Sequence, residues 1–99
     1  MRKHERDIAQ LRERAAFWAG KLKVSPRLVR VQRMTRKWGS CSSRGTITLA
    51  SDLADKDRRF LDFVVAHELL HLRVPNHGRL FKALMTAYVP YWRQCDLLK

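Results

Sequence analysis

His67-Glu68-Leu69-Leu70-His71, continued by Leu72-Arg73-Val74-Pro75-Asn76-His77, is the stretch from which the rest of the chain is read. Two histidines four apart on a helix stand on one face, roughly 5–6 Å apart at Cβ. That pair can share one metal ion. Glu68 sits about 100° round the helix from His67, where it reaches a metal-bound water without being a ligand. His77 follows His71 by six residues, past a Pro-Asn break that can turn the chain back. The pattern HExxHxxxxxH points to a catalytic zinc site with His67, His71 and His77 as ligands and a fourth position left open. Three of the chain's four histidines fall in this one segment, which argues against scattered surface polarity.

Each residue type answers a chemical need. Zinc lowers the pKa of its bound water toward about 7 and polarises a carbonyl. Glu68 takes the water's proton and later delivers it to the leaving amine. A developing oxyanion needs a further donor; Tyr88, Tyr91, Arg79 and Arg73 are the nearby candidates. Cys41 and Cys95 lack CxxC spacing and lie outside the motif, so each reads as a small buried thiol.

At 99 residues the chain is expected to form one domain, residues 1–99. Its net charge is +12, unevenly spread: residues 1–44 carry thirteen Lys/Arg against three acids, and residues 45–99 carry eight against six. The basic N-terminal half favours anionic partners, nucleic acid among them. Nothing resembles a signal peptide or a membrane span. With two cysteines and no pairing pattern, a cytoplasmic protein with reduced thiols is expected.

The spacing predicts a helix over 4–22, with Ile8, Leu11, Ala15, Trp18 and Leu22 on one stripe. Glu5, Asp7 and Glu13 among its bases, and the narrow stripe, make it a core-packing helix rather than a membrane one. Ser25-Pro26 breaks the pattern. A strand is predicted over 28–34, then a hairpin over 36–50 with its turn at 42–45. Gly39 marks a bulge or a close backbone approach. Asp55 or Asp57 caps a helix over 57–73, apolar on most faces and therefore central. Pro75 ends it. Further helices are predicted over 78–88, with Leu80, Phe81, Leu84, Met85 and Tyr88 on one face, and over 91–97, with Trp92, Cys95 and Leu98.

Arg36-Lys37-Trp38-Gly39-Ser40-Cys41-Ser42, Gly45 to Leu49, Asp62 to Leu72, Asn76-His77, Phe81 and Pro90 together resemble the YgjP-like family of zinc metallopeptidases, relatives of the SprT/Spartan and WLM proteases. The resemblance covers about residues 34–92. It implies an α+β, minimal zincin-like fold: an N-terminal helix, a small antiparallel three-stranded sheet, a central HExxH helix and C-terminal helices. It implies one zinc on His67, His71 and His77, Glu68 as catalytic acid/base, and a peptide or protein substrate. By analogy with zincins, an edge strand lines the cleft, which gives Trp38, Gly39, Ser40 and Cys41 a substrate-binding role. The chain departs from the family at Ala50, often Asn, and at Lys82, often Trp. Val74 stands where metzincins have Gly. A bacterial rRNA-maturation endoribonuclease family shares the histidine spacing but not the Glu, so Glu68 tilts the reading toward peptide hydrolysis. The alternatives are a metal-dependent nucleic-acid hydrolase or nucleic-acid-tethered protease, and a binding module with a structural zinc.

Overall fold

The computed structural model describes residues 2–98. In chain order it contains α1 (Lys3–Leu22), β1 (Leu28–Gln32), β2 (Gly39–Cys41), β3 (Thr46–Ala50), a 3₁₀ turn (Ser51–Asp55), α2 (Arg58–Leu70), α3 (Arg79–Tyr88) and α4 (Trp92–Asp96). The fold is α+β, as the resemblance implies.

α1 buries Leu11, Ala15, Trp18 and Leu22, spaced by four, three and four residues along one stripe. It stops at Lys23, whose φ of 57° is left-handed; Lys23 N–H bonds back to Ala19 and Gly20, and Val24 N–H to Ala19 O at 3.0 Å. This is the usual way a helix satisfies its last carbonyls, but with lysine where glycine would be unstrained. α2 starts at Asp57, whose carboxylate accepts from Phe60 N–H at 3.0 Å. Of the two aspartates weighed as caps, Asp57 fills the role, and Asp55 pairs instead with Lys3. Every residue from Phe60 to Leu70 is buried, so α2 is the axis of the core. α1 is locked to it by a two-pronged ion pair: Arg14 Nε and Nη2 donate to Asp62 Oδ1 and Oδ2 at 2.9 and 3.0 Å.

The sheet corrects the antiparallel expectation. Its order is β1-β3-β2, with β2 antiparallel to β3 but β1 parallel to β3 in the register Leu28↔Thr46 to Gln32↔Ala50. The reason lies in burial. Ile47 to Ala50 are all buried, whereas β1 alternates exposed and half-buried, and β2 is short. The strand with apolar groups to hide takes the centre. The chain reverses once after β1 and again at 42–45, so β1 and β3 run the same way.

Boundaries also tighten. The predicted 28–34 strand ends at Gln32, and the arm predicted from residue 36 is a ladder only from Gly39. α2 ends at Leu70 rather than residue 73. Leu72 and Arg73 N–H bond to Leu69 and Leu70 O, each at 3.0 Å, an i→i+3 winding. Leu80 and Leu98, placed on buried faces by periodicity, are 60% and 71% exposed. No helix among the described residues is long and apolar enough to cross a membrane.

Candidate active site

α2 brings His67 and Glu68 to the site as buried side chains, and His71 follows as its C-terminal cap. The tight winding at 71–73 and Pro75 then swing the chain round. Asn76 Oδ1 accepts from Gly78 N–H at 3.2 Å, a local turn that seats His77 just ahead of α3. The three imidazoles close on one another, with ring centroids 4.6–4.9 Å apart. One ring nitrogen from each lies within 4.8 Å of the other two, a cluster able to hold a metal ion. Phe81 on α3 packs against all three rings at 4.7–5.3 Å, an apolar wall behind them.

The donor set fits a metal on local chemistry. His71 Nδ1 lies 3.2 Å from Val74 O, so that nitrogen carries the proton in a neutral ring and Nε2 keeps its lone pair. Nε2 of His71 and Nε2 of His77 face each other at 2.8 Å. Two lone pairs do not meet head-on at that distance, so the position calls for a shared proton or a shared cation. Burial, with His67 beside it, pushes the His71 pKa below its ordinary 6.5, which favours the neutral, metal-binding form. Glu68 Oε2 lies 3.2 Å from His67 Nδ1, so the carboxylate stands at the edge of the triad.

Glu68 also fixes what can stand opposite it. A Cβ on Gly39 would lie 2.9 Å from Glu68 Cγ, 3.2 Å from Thr48 O and 3.3 Å from Val64 Cγ1. Gly39 is thus the close approach its position in the sequence suggests, made by strand β2 against α2. Between these two elements runs an open cleft of about 1410 Å³, lined by residues 34–45 on one side and by Phe63, Val64, His67, Glu68 and His71 on the other.

β2 is an edge strand. Ala50 N–H bonds to Trp38 O, and Ser42 N–H to Thr46 O, both at 2.9 Å. Antiparallel ladders alternate, so the N–H and C=O groups of Gly39 and Cys41 point away from β3, onto the open edge. Of the four residues given a substrate role, Gly39, Ser40 and Cys41 form this edge. Trp38 also lines the cleft, but its ring packs edge-on to Phe60 at 5.5 Å and lies under Lys56. Cys41 is half-buried beside the site rather than a core thiol; burial, and then the Glu68 charge, push its pKa up. Cys95 is buried as expected.

Of the four oxyanion candidates only Arg73 lines the cleft, and its guanidinium donates to Leu22 O at 3.1 Å. Tyr91 lies under Arg59 instead. Sequence reasoning missed the Phe81 wall, the Val74 carbonyl behind His71 and the basic residues along the cleft. Phe81 left a signal as an apolar residue four past His77 on a predicted helix, and four of the bases belong to the basic N-terminal half.

A family model described as "YgjP-like, metallopeptidase domain" matches residues 2–97. No curated protein matches the chain in sequence. Among solved structures, the metallopeptidase zymogen of Methanocaldococcus jannaschii jannalysin superposes with a TM-score of 0.76 at 20% identity, over 88% of this chain and 90% of that one. That likeness is one of fold.

Proposed function

Because the chain belongs to the YgjP-like metallopeptidase family, we propose that it hydrolyses peptide bonds with one zinc ion held by His67, His71 and His77 and with Glu68 as the acid–base group. The observation that carries this reading is the convergence of three imidazoles beside a buried carboxylate, with His67, His71 and that carboxylate lining a cleft bordered by an open strand edge.

A divalent ion at the triad supplies Lewis acidity toward water and the scissile carbonyl; the histidine ligand set favours zinc. The protein's own groups do the rest. His71, with Nδ1 tied to the Val74 carbonyl, presents Nε2. Glu68 accepts a proton from the attacking water and passes it to the departing amine, a role worth about 10²–10⁴ in rate. The outward N–H and C=O groups of Gly39 and Cys41 hold the substrate backbone as an added strand. Phe81 and the buried length of α2 back the triad and hold His67 and Glu68 in place. The match over nearly the whole chain supports one domain, and two free cysteines fit a reducing, cytoplasmic setting.

The decisive comparison is wild type against Glu68→Gln on a peptide library, with bound metal quantified in both. Turnover should vanish in the variant while one zinc per chain remains. A variant that cuts at the wild-type rate sinks the mechanism. His71→Ala should lose both the metal and the thermal stability it confers. The nucleic-acid alternative rests on charge alone; retention of nuclease activity in Glu68→Gln, with no peptide cut by wild type, would favour it.

A further inference from the structure

The cleft is charged as well as open. Five bases line it, against two acids, Asp52 and Glu68. Arg73 is one of the five and is engaged by the Leu22 carbonyl. The other four, Lys23, Arg36, Lys37 and Arg44, are exposed, and among the described residues none of them has an ion-pair partner. Their placement follows the strand edge. Arg36 and Lys37 lie on the segment entering β2, and Arg44 lies on the turn leaving it. Lys23 belongs to the same end as Arg44, because Arg27 N–H bonds to Gly45 O at 2.9 Å and ties the chain after α1 to that turn. Cations therefore bracket both ends of the three residues that offer an open edge.

Lys23 adds a second, independent observation. It is the one non-glycine among the described residues with positive φ. A side chain is held in a backbone conformation that favours glycine, and that side chain lines the cleft.

We propose that the cleft is selective for acidic polypeptide, with Lys23 and Arg44 reading carboxylates on one side of the scissile bond and Arg36 and Lys37 on the other. The inference rests on the peptidase reading and adds its substrate class. Because the four bases flank the short edge strand, the charges that matter lie on both sides of the cut. Polypeptide is favoured over nucleic acid by the site itself. The edge groups of Gly39 and Cys41 match a peptide backbone, and base stacking needs a free aromatic face. Trp38, the lining aromatic nearest that edge, is covered by Lys56 and packed on Phe60.

Two measurements test it. The first is binding, by fluorescence anisotropy, of labelled peptides to the Glu68→Gln variant, where turnover does not intrude. The peptides share one sequence and differ only in carrying Glu, Gln or Lys around the cut. The second is kcat/KM of wild type on the same set. The Glu peptide should bind and turn over at least about tenfold better than the Gln peptide at low salt. That margin should shrink toward 0.5 M salt, where exposed charges are screened within about 4 Å. Arg44→Glu and Lys37→Glu should each reduce the Glu-over-Gln ratio; both side chains are exposed, so melting temperatures should stay at the wild-type value. Equal handling of Glu and Gln peptides at low salt overturns the selectivity and leaves the peptidase reading standing. Salt-sensitive binding of the Glu peptide with no cleavage of any peptide keeps the cleft's selectivity for acidic polypeptide and overturns the peptidase reading. A single-stranded oligonucleotide that outcompetes the Glu peptide, and loses its affinity in Arg44→Glu, overturns polypeptide as the occupant.

Discussion

Replacing Gly39 with alanine puts a methyl carbon 2.9 Å from Cγ of Glu68, 3.2 Å from the Thr48 carbonyl and 3.3 Å from Cγ1 of Val64. Two of these neighbours cannot step aside. Thr48 is held in the centre of the sheet, and Val64 is a β-branched side chain buried in α2. The Glu68 side chain is the one that can yield, and it is the proposed acid–base group. Overpacking of this kind costs about 1–3 kcal/mol, roughly 4–20 °C in melting temperature for a domain of this size. Displacing a catalytic group by about 1 Å costs on the order of 10²-fold in rate. Gly20 supplies the internal control. It is exposed within α1, and a Cβ there meets nothing within 4 Å, so Gly20→Ala should stabilise by about 0.5–1 kcal/mol. Urea melts, zinc content and peptide turnover of the two variants form the assay. One substitution should thus have opposite signs at two sites of one protein, with zinc retained in both. A Gly39→Ala protein that melts and turns over like wild type would refute the close approach as the reason for glycine there.

Three further outcomes follow from features outside the edge strand. Arg14→Met leaves Asp62 charged and unpaired at 8% exposure, and chemical denaturation should show a loss of about 3 kcal/mol or more. Lys23→Gly removes a left-handed lysine and should stabilise by about 1 kcal/mol, while anisotropy shows weaker binding of acidic peptide. For the metal-free protein, folding holds His71 below its ordinary 6.5, so the native state prefers the neutral ring. That contribution is complete above pH 6.5 and is lost as pH falls through 6.5 toward the lower folded value. Urea melts across this range should therefore weaken on acidification, and His71→Asn should flatten that part of the curve.

Local pattern carried much of this molecule into the sequence. The stripe from Leu11 to Leu22, the cap at Asp57 and the histidine spacing are all short-range signals, and each has its counterpart in the fold. Gly39 was legible as a close approach, though not what it approaches. What escaped was decided by partners distant in sequence. Leu28–Gln32 and Thr46–Ala50 both read as strands, and neither alone says that the second takes the centre and pairs in parallel with the first. Arg14 meets Asp62 across forty-eight residues, and nothing near either one announces the other. Lys23 falls just past the predicted helix over 4–22, and its special φ arises from the way α1 stops. The cationic rim is assembled from three separate segments, and nothing local to any of them announces that they meet.

The triad is also asymmetric in how it is anchored. His67 belongs to a run of consecutive buried residues that forms the core, and His71 caps that run. His77 sits on the exposed bend 75–78 ahead of α3, with Phe81 against its ring at 4.7 Å. Local opening draws on segments with few buried contacts, while a core helix opens only with the whole molecule. In the proposed metal centre, two ligands therefore share the stability of the core helix, while the third is carried by an exposed bend.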